Sequence, residues 1–278
     1  DDVIILAEDE EIMEIMLELV LKKLSEYQLK LKISKCIFSA IKLDFVGHEI
    51  SKSGIKKQAK YVEKILQVSR PEKIKDLLKF MGMANWVMKF CKNFSEIARP
   101  LSILQKTDKK SMKLSIEWND ERIQAFENIK KLIKEDISLA YPMPDKECGE
   151  LQLFCDASEN CIGSTLCQYQ PVLNKDGKEE LVLRTIVNYS CVLNKHARKY
   201  NIREKELTAI RLSLDHYKPY LLGRKFNIWS DHRSLIYLNT MRLINSRLFR
   251  TAEEMACFDY KICYIPGKDN FYADTMSR

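Results

Sequence analysis

The chain has 278 residues, enough for two domains of ordinary size that each bury a core. Hydrophobic residues make up 46% of the sequence and charged residues 31%, which is a balance typical of globular proteins. The sequence shows neither an apolar run long enough to span a bilayer nor a signal peptide, which argues against a membrane or secreted protein. The formal charge of +7 is compatible with a polyanionic partner without establishing one.

The cysteines indicate whether the protein resides in a reducing or an oxidising compartment. Nine are scattered through the chain without a Cys-x-x-Cys pair. Cys155, Cys161 and Cys167 are evenly spaced, but histidine, the usual companion ligand of a zinc knuckle, is absent from their neighbourhood in sequence. We therefore predict that the cysteines are small core side chains in a reducing, intracellular compartment.

The first half of the chain is predicted to be a short strand region followed by helices. It begins with Asp1-Asp2 and a strand-like run over 3–7, as expected of a chain clipped from a longer one. Apolar residues at helical spacing predict an amphipathic helix over 8–27. The elements predicted next are strands over 29–33 and 43–50, helical structure over 57–107 with Pro71 starting a new helix, and a helix over 121–134.

A sharp change in the sequence follows at Tyr141-Pro142-Met143-Pro144-Asp145, where two prolines predict a domain boundary. Beyond it the pattern favours alternating strands and helices. The predicted strands cover 151–155, 162–168, 181–191, 226–230 and 260–265, and the predicted helices cover 203–217 and 246–257, with a short closing segment after them. This order predicts a mixed β-sheet flanked by helices.

Four acidic residues stand out in this second half: Asp156, Glu206, Asp231 and Asp274. Asp156 and Asp231 each follow a predicted strand, so adjacent strands would bring both carboxylates to one edge of the sheet. Each acid alone is more often structural, for example as the cap of a turn. The set of four, on these elements and in this order, favours a shared site.

The helical glutamate is distinguished from its neighbour by its face. Glu206 shares a helix face with Ile210 and Leu214, whereas Glu204 lines up with Thr208 and Arg211 on a solvated face. A buried glutamate beside two strand-end aspartates is repulsive unless a cation neutralises the cluster. Hard oxygen ligands of this kind select Mg²⁺ or Mn²⁺. Two such ions about 4 Å apart can support phosphodiester hydrolysis, so the pattern favours a two-metal nuclease.

These residues carry a resemblance to a known family. Residues 151–278 resemble the ribonuclease H domain of a gypsy-type LTR retrotransposon reverse transcriptase. The matching motifs are Phe154-Cys-Asp-Ala-Ser158, Arg203-Glu-Lys-Glu-Leu-Thr-Ala-Ile210, Tyr220-Leu-Leu-Gly-Arg224 with Phe226, Ser230-Asp-His-Arg-Ser-Leu235, Pro266-Gly-Lys-Asp-Asn270 and Ala273-Asp-Thr-Met-Ser-Arg278. In that family four acids hold two metal ions, and the resemblance assigns those roles to Asp156, Glu206, Asp231 and Asp274.

The first half resembles the same Pol polyprotein. Asp1-Asp2 is similar to the end of the polymerase's catalytic Tyr-x-Asp-Asp hairpin, and Leu29-Lys-Leu-Lys-Ile-Ser-Lys-Cys36 is similar to the next palm motif, with Lys35 as its lysine. Phe45-Val-Gly-His-Glu-Ile-Ser51 resembles the primer grip, and residues 80–101 resemble the thumb. The implied fold is α/β (α+β): a palm remnant over 1–55, a helical thumb and tether over 56–140, and a ribonuclease H-like mixed sheet flanked by helices over 147–278.

The resemblance has departures. The polymerase's upstream catalytic aspartate, its fingers and much of its palm have no counterpart here, so we expect no DNA polymerisation from this chain, although the full-length parent would polymerise. The thumb sequence Trp86-Val-Met-Lys-Phe90 replaces a stretch usually rich in tyrosine and arginine. Arg250-Thr251 stands where an Arg-Trp pair is usual. All four nuclease carboxylates are kept.

The resemblance also implies partners: an RNA–DNA hybrid, primer–template nucleic acid, and the rest of the Pol polyprotein with its missing palm, fingers, protease and integrase. The candidate nucleic-acid contacts are Lys35, Trp86, Lys89, Lys92 and Asn270. Core packing explains the thumb aromatics equally well, and solvation explains Lys35. His232, beside Asp231, is expected to orient the loop by hydrogen bonding rather than to take part in chemistry.

The sequence therefore predicts a ribonuclease H that cleaves the RNA strand of RNA–DNA hybrids and leaves a 3′-hydroxyl. Two alternatives stay open. The first is an inactive relic that only binds nucleic acid. The four acids argue against it, because a protein that only binds nucleic acid does not need a buried acidic cluster. The second is an integrase or transposase, which places its glutamate after the second aspartate, whereas Glu206 precedes Asp231.

Overall fold

The computed structural model describes residues 3–106, 114–174, 177–237, 246–270, 273 and 277, without the side chains of 246–248 and 268. By packing, the chain divides into two units, Asp1–Ile41 and Lys42–Arg278. The division into domains at residues 55 and 140 stays a prediction. Among the described residues, none of the helices has the length and apolarity that crossing a membrane requires.

The first unit contains the predicted amphipathic helix, α1 (Glu10–Glu26), and the short 3₁₀ turn Ile33–Lys35. The carboxylate of Asp9 caps α1 by accepting a hydrogen bond from the Ile12 amide at 2.8 Å. The strands predicted over 3–7 and 29–33 are wrong. A strand needs a neighbour for its backbone hydrogen bonds, and neither run has one among the residues that the structure describes.

The second unit begins with a three-stranded antiparallel sheet and continues with helices. Its elements are β1 (Lys42–Phe45), β2 (His48–Ser51), β3 (Gly54–Lys57), α2 (Ala59–Leu66), α3 (Ile74–Trp86), α4 (Phe94–Ser102), α5 (Asp120–Lys134) and the single turn α6 (Asp145–Cys148), with 3₁₀ turns at Met88–Phe90 and Ile103–Lys106. The helices of this part bury a common core that includes Leu77, Phe80 and Phe126.

In this part of the chain, the start of α3 differs from the prediction, and Gly54 occupies a position that requires glycine. Pro71 does not start a helix: α3 begins three residues later, at Ile74, with Lys73 as its N-cap. Gly54 has φ +135°, and a Cβ there would lie 2.2 Å from the carbonyl oxygen of Leu139. Glycine is needed at this position because β3 passes directly over the backbone that follows α5.

The rest of the unit is a five-stranded sheet with helices. Its elements are β4 (Leu151–Ala157), β5 (Cys161–Leu173), β6 (Glu179–Val192), α7 (Ile202–Leu221), β7 (Lys225–Ser230), α8 (Ser246–Met255) and β8 (Asp259–Tyr264), with 3₁₀ turns at Ala197–Lys199, Arg233–Tyr237 and Gly267–Asp269. The strand order is β6-β5-β4-β7-β8. β5 pairs antiparallel with β4 and β6, and the β4–β7 and β7–β8 pairs are parallel. The predicted mixed sheet is confirmed.

The sheet is covered differently on its two faces. Val187 and Tyr189 of β6 belong to the core that α7 shares through residues such as Leu214. Because side chains alternate along a strand, Asn188 and Ser190 point the other way. There the Asn188 side-chain amide donates to the Lys89 carbonyl at 3.1 Å, and the Ser190 hydroxyl is hydrogen-bonded to Ser95 at 2.9 Å. The helical part thus packs on the sheet through buried polar contacts.

Candidate active site

The edge of the sheet where β4 and β7 end carries two carboxylates. Asp156 is the second-last residue of β4, and Asp231 directly follows β7. The two strands are parallel and in register, with Phe154 opposite Trp229. Both aspartates therefore lie at the same edge, as their positions in the sequence predict.

The third carboxylate comes from the start of α7. Glu206 is 3% exposed and faces the sheet, as predicted from its helix face. Glu204 has a structural role that the sequence reading missed. Its side chain accepts a hydrogen bond from the Asn201 amide at 3.3 Å, and the Asn201 side chain accepts one from the Glu204 amide at 2.9 Å. This reciprocal capping box could have been found from the Asn-x-x-Glu spacing, and it fixes the start of the helix that holds Glu206.

The three carboxylates converge. One oxygen from each of Asp156, Glu206 and Asp231 lies within 4.8 Å of the others. The Oε1 atom of Glu206 accepts a hydrogen bond from the Ala157 amide at 3.2 Å. Its Oε2 atom is buried and has no hydrogen-bond partner in the part of the chain that the structure describes. Burial, followed by the charges of Asp156 and Asp231, raises the pKa of Glu206 to about 9.

These observations fit a divalent cation. An unpartnered buried carboxylate oxygen is costly, and a cluster of three carboxylates is mutually repulsive. A cation would relieve both costs, and oxygen-only ligands of this kind suit Mg²⁺ or Mn²⁺. The acidic triad could therefore hold a metal ion.

The segments around the triad restrict how its side chains lie. A Cβ on Gly267 would lie 3.1 Å from the Oδ2 atom of Asp231, so the backbone passes close to this carboxylate. The ring Nδ1 of His232 is hydrogen-bonded to the Ser234 hydroxyl at 2.8 Å, an arrangement that suits the loop-orienting role expected for this histidine. Gly267 was not singled out in the sequence, although it lies inside the Pro266–Asn270 motif.

Asn270 is buried beside the strand that carries Asp156. Its side chain is 1% exposed, and its amide donates to the Cys155 carbonyl at 3.1 Å. This contact holds that strand, and the nucleic-acid contact expected of Asn270 stays a prediction. Ser277, which the sequence reading did not single out, donates a hydrogen bond to the Oδ2 atom of Asp156. Asp274, Asp1 and Asp2 lie outside the described residues.

The other candidate nucleic-acid contacts belong to other elements of the chain: Trp86, Lys89 and Lys92 to the helical part of the second unit, and Lys35 to the first unit. Trp86 ends α3, is 44% exposed, and has its ring centre 5.4 Å from that of His48 in β2. The Nζ atom of Lys89 lies 5.4 Å from the centre of the buried Phe90 ring, and burial lowers the pKa of Lys89. Lys92 is exposed, and Lys35 is exposed within the first unit.

The sheet order, the crossover helix α7 and the acidic triad, with its two aspartates at the ends of the adjacent strands β4 and β7, define a ribonuclease H-like domain. Residues 146–258 match the family described as the RNase H-like domain found in reverse transcriptase. Along its length the chain is similar to Pol polyproteins of gypsy-type and other transposons.

Two of these relatives come from Drosophila melanogaster. The chain is 34% identical over 262 residues to the retrovirus-related Pol polyprotein from transposon 297 of Drosophila melanogaster, covering 94% of this chain and 23% of that protein. It is 30% identical over 286 residues to the Pol polyprotein from transposon gypsy of the same species, covering 100% of this chain and 26% of that protein. The chain thus spans about a quarter of the length of these relatives.

Solved structures agree on the fold. The foamy viral protease-reverse transcriptase in complex with an RNA/DNA hybrid matches with a TM-score of 0.73 at 21% identity, over 94% of this chain and 34% of that one. The same viral protein in complex with double-stranded DNA matches with a TM-score of 0.71 at 22% identity, over 93% of this chain and 52% of that one. The predicted fold class is confirmed.

Proposed function

We propose that residues 147–278 form a ribonuclease H that hydrolyses the RNA strand of RNA–DNA hybrids. The observation that carries this proposal is the convergence of Asp156, Glu206 and Asp231, with a buried Glu206 oxygen that lacks a partner among the described residues. A domain that only binds nucleic acid has no use for such a cluster, because the repulsion costs stability without helping binding.

The proposed cofactor is Mg²⁺, with Mn²⁺ as a substitute, in a two-ion site. Asp156, Glu206 and Asp231 would hold the ions, and the family resemblance adds Asp274. When bound, such ions activate a water molecule and stabilise the charge on the leaving oxygen. In the overall reaction the oxygen of water bonds to phosphorus and the bond between phosphorus and the 3′-oxygen breaks. The 3′-oxygen takes up a proton, which leaves a 3′-hydroxyl and a 5′-phosphate.

The residues of the chain supply position and shielding. The Ala157 amide fixes one oxygen of Glu206 and so fixes the direction of the other. The capping box sets the start of α7, and the close approach of Gly267 limits the movement of Asp231. Asp156 and Glu206 are 5% and 3% exposed, so the carboxylates meet in a region with little water, where their interaction with a cation is strong.

The proposed substrate is an RNA–DNA hybrid or a primer–template duplex. A foamy viral relative in fold has been solved in complex with an RNA/DNA hybrid. In this chain the exposed Trp86 and the lysines Lys89 and Lys92 lie together on the helical part, and Lys35 lies in the first unit. We propose that these lysines contact phosphates and that recognition depends on the shape and the 2′-hydroxyls of the hybrid, not on base sequence.

The proposed context is a larger Pol polyprotein. Its remaining parts would include the palm and fingers of an RNA-directed DNA polymerase, a protease and an integrase. Asp1 and Asp2 would belong to the polymerase site of the parent. On α1, Ile15 and Leu19 are exposed, and we propose that the rest of the palm covers them.

Two neighbouring glutamates provide a matched test. The purified chain is incubated with a labelled RNA–DNA hybrid in Mg²⁺, Mn²⁺ or EDTA, alongside the variants Glu206→Gln and Glu204→Gln. We expect metal-dependent cleavage by the wild type and by Glu204→Gln, because glutamine keeps the capping box. Glu206→Gln should lose activity by more than about 100-fold, because a metal-binding charge is removed.

The outcomes separate the candidate functions. Equal activity of the two variants, or full activity in EDTA, contradicts the two-metal proposal. Hybrid binding without cleavage, in every metal tested, favours the inactive nucleic-acid-binding relic. Joining of LTR-end DNA to a target, measured in a separate strand-transfer assay, would favour the integrase or transposase alternative.

A further inference from the structure

The C-terminal segment docks on the strand that carries Asp156. Three of its described residues each meet a successive residue of β4. Ala273 is fully buried in a cluster with Phe154, Asn270 donates its amide to the Cys155 carbonyl, and Ser277 donates its hydroxyl to Asp156. Asn270, Ala273 and Ser277 therefore all contact β4.

The contact of Ser277 differs in kind from the other two, because it reaches a member of the acidic triad. Ser277 is 0% exposed, and its hydroxyl hydrogen-bonds to the Oδ2 atom of Asp156. An ionised carboxylate only accepts hydrogen bonds, so Ser277 is the donor. A buried hydroxyl beside a buried carboxylate has few other orientations, and the contact therefore restricts the rotation of the Asp156 carboxylate.

We propose that Ser277 is a positioning residue that sets the metal affinity of the triad through Asp156. This inference rests on the proposed function, because it takes Asp156 to be a metal ligand. Carboxylates that bind metals are themselves oriented by hydrogen bonds, and loss of such a partner typically costs 10- to 100-fold in metal affinity. Ser277 acts through Asp156 and is not proposed to contact the substrate.

The inference links two distant parts of the sequence. Asp156 and Ser277 are separated by 121 positions, and the Asn270 contact with the carbonyl of Cys155 brings the C-terminal segment alongside β4. A buried segment that only filled space against Phe154 would need apolar residues such as Ala273. The hydroxyl of Ser277 adds a hydrogen-bond donor beside the Asp156 carboxylate of β4.

The direct test measures metal binding without substrate. Isothermal titration calorimetry follows Mn²⁺ binding to the full chain, for the wild type, Ser277→Ala and Ser277→Thr. We expect Ser277→Ala to bind Mn²⁺ about 10- to 100-fold more weakly than the wild type. Ser277→Thr keeps a hydroxyl and should bind more tightly than Ser277→Ala. Thermal melting in EDTA checks that each variant is folded.

A second buried serine serves as the control. Ser95 is hydrogen-bonded to Ser190 in the contact between the helical part and the sheet, so Ser95→Ala should change thermal stability without changing Mn²⁺ affinity. In a hybrid-cleavage assay, Ser277→Ala should need more Mg²⁺ for half-maximal rate, with an unchanged KM for the hybrid at saturating metal. A residue with a purely structural role would not shift the metal requirement in this way.

The results distinguish failure of this inference from failure of the proposed function. If the wild type does not bind Mn²⁺, or if Asp156→Asn binds it as well as the wild type, the metal site itself is wrong. If Asp156→Asn loses binding and folded Ser277→Ala keeps wild-type affinity, only the role of Ser277 is overturned. Equal weakening in Ser277→Ala and a folded Ser277→Thr would assign the effect to packing of the segment and would also overturn it.

Discussion

Glu206 accepts a hydrogen bond from the Ala157 amide at 3.2 Å, which joins the second turn of α7 to the end of β4. This contact engages Oε1, while Oε2 is buried and without a partner among the described residues. The result is a carboxylate whose direction is fixed within a cluster of three mutually repulsive carboxylates. A bound cation would offset this repulsion, which is why the metal-free and metal-bound proteins should differ measurably.

The first prediction concerns pH and the metal-free protein. The pKa of Glu206 is raised from 4.5 to about 9, so between these values the folded protein holds a proton that the unfolded chain has lost. Stability that this group contributes is therefore full below pH 4.5 and is lost as the pH rises toward 9. Glu206→Gln removes the dependence and should stabilise the metal-free protein at pH 8 by on the order of 5 kcal/mol.

Chemical denaturation in EDTA at pH 5, 6.5 and 8 measures this effect. The difference in unfolding free energy between Glu206→Gln and the wild type should increase with pH. Glu204→Gln serves as the control and should show a constant difference. A stabilisation by Glu206→Gln that shrinks as the pH rises would contradict the assignment of Glu206 as the strained member of the triad.

The second prediction concerns metal binding and stability. A ligand that binds only the folded state stabilises it by about 2.7 kcal/mol when present at 100 times its Kd. Mg²⁺ should therefore raise the melting temperature of the wild type. It should have little effect on Asp156→Asn, which lacks one charge of the triad. A thermal-shift series against Mg²⁺ concentration, with Ca²⁺ as a second ion, measures the difference, and an equal shift in both proteins would exclude Asp156 as a ligand.

The third prediction uses two glycines. Gly267→Ala places a Cβ 3.1 Å from the Oδ2 atom of Asp231 and should displace that carboxylate by a few tenths of an ångström. We expect cleavage to fall by about tenfold, because catalysis is sensitive to small misplacements. Gly82→Ala, inside α3, meets no atom within 4 Å of the added Cβ in the described structure. It should leave cleavage unchanged and raise stability by about 0.5–1 kcal/mol.

The fourth prediction concerns the contact between the helical part and the sheet. Asn188 donates to the Lys89 carbonyl at 3.1 Å and accepts from the Thr165 hydroxyl at 3.0 Å, both in a buried position. Asn188→Ala removes both bonds and should destabilise the protein by about 1–3 kcal/mol. Because this contact joins the helical part to the sheet, we expect the wild type and Asn188→Ala each to unfold in a single transition. Tryptophan fluorescence and far-UV circular dichroism should therefore give coincident unfolding curves. Two separated transitions in the wild type would show that the parts unfold independently.

The strands and helices of the ribonuclease H-like part were predictable because their hydrophobic patterns are local. Alternation and short apolar runs located β4 to β8 to within a few residues, except that β5 and β6 extend further than predicted. The helix face of Glu206 also follows from its spacing to Ile210 and Leu214. Those inferences need only the periodicity of side chains along a helix or strand and the positions at which the strands end.

What could not be predicted depends on contacts between distant residues. The apolar runs at 3–7 and 29–33 have strand composition, but a strand forms only where a partner supplies backbone hydrogen bonds. The contact of Ser277 with Asp156 depends on how the C-terminal segment docks along β4, which no local pattern specifies. The contact of Asn270 with the Cys155 carbonyl has the same cause, since it joins residues that are far apart in the sequence.

The measurement that tests the central claim most directly is the strand and metal dependence of cleavage. The purified chain is given an RNA–DNA hybrid, an RNA duplex and a DNA duplex, each labelled on one strand at a time, with Mg²⁺ or EDTA. We expect cleavage of the RNA strand of the hybrid alone, in Mg²⁺ alone, with products that carry a 3′-hydroxyl. Cleavage of the DNA strand, or cleavage of the hybrid at full rate in EDTA, would contradict the account of this site as a two-metal ribonuclease H.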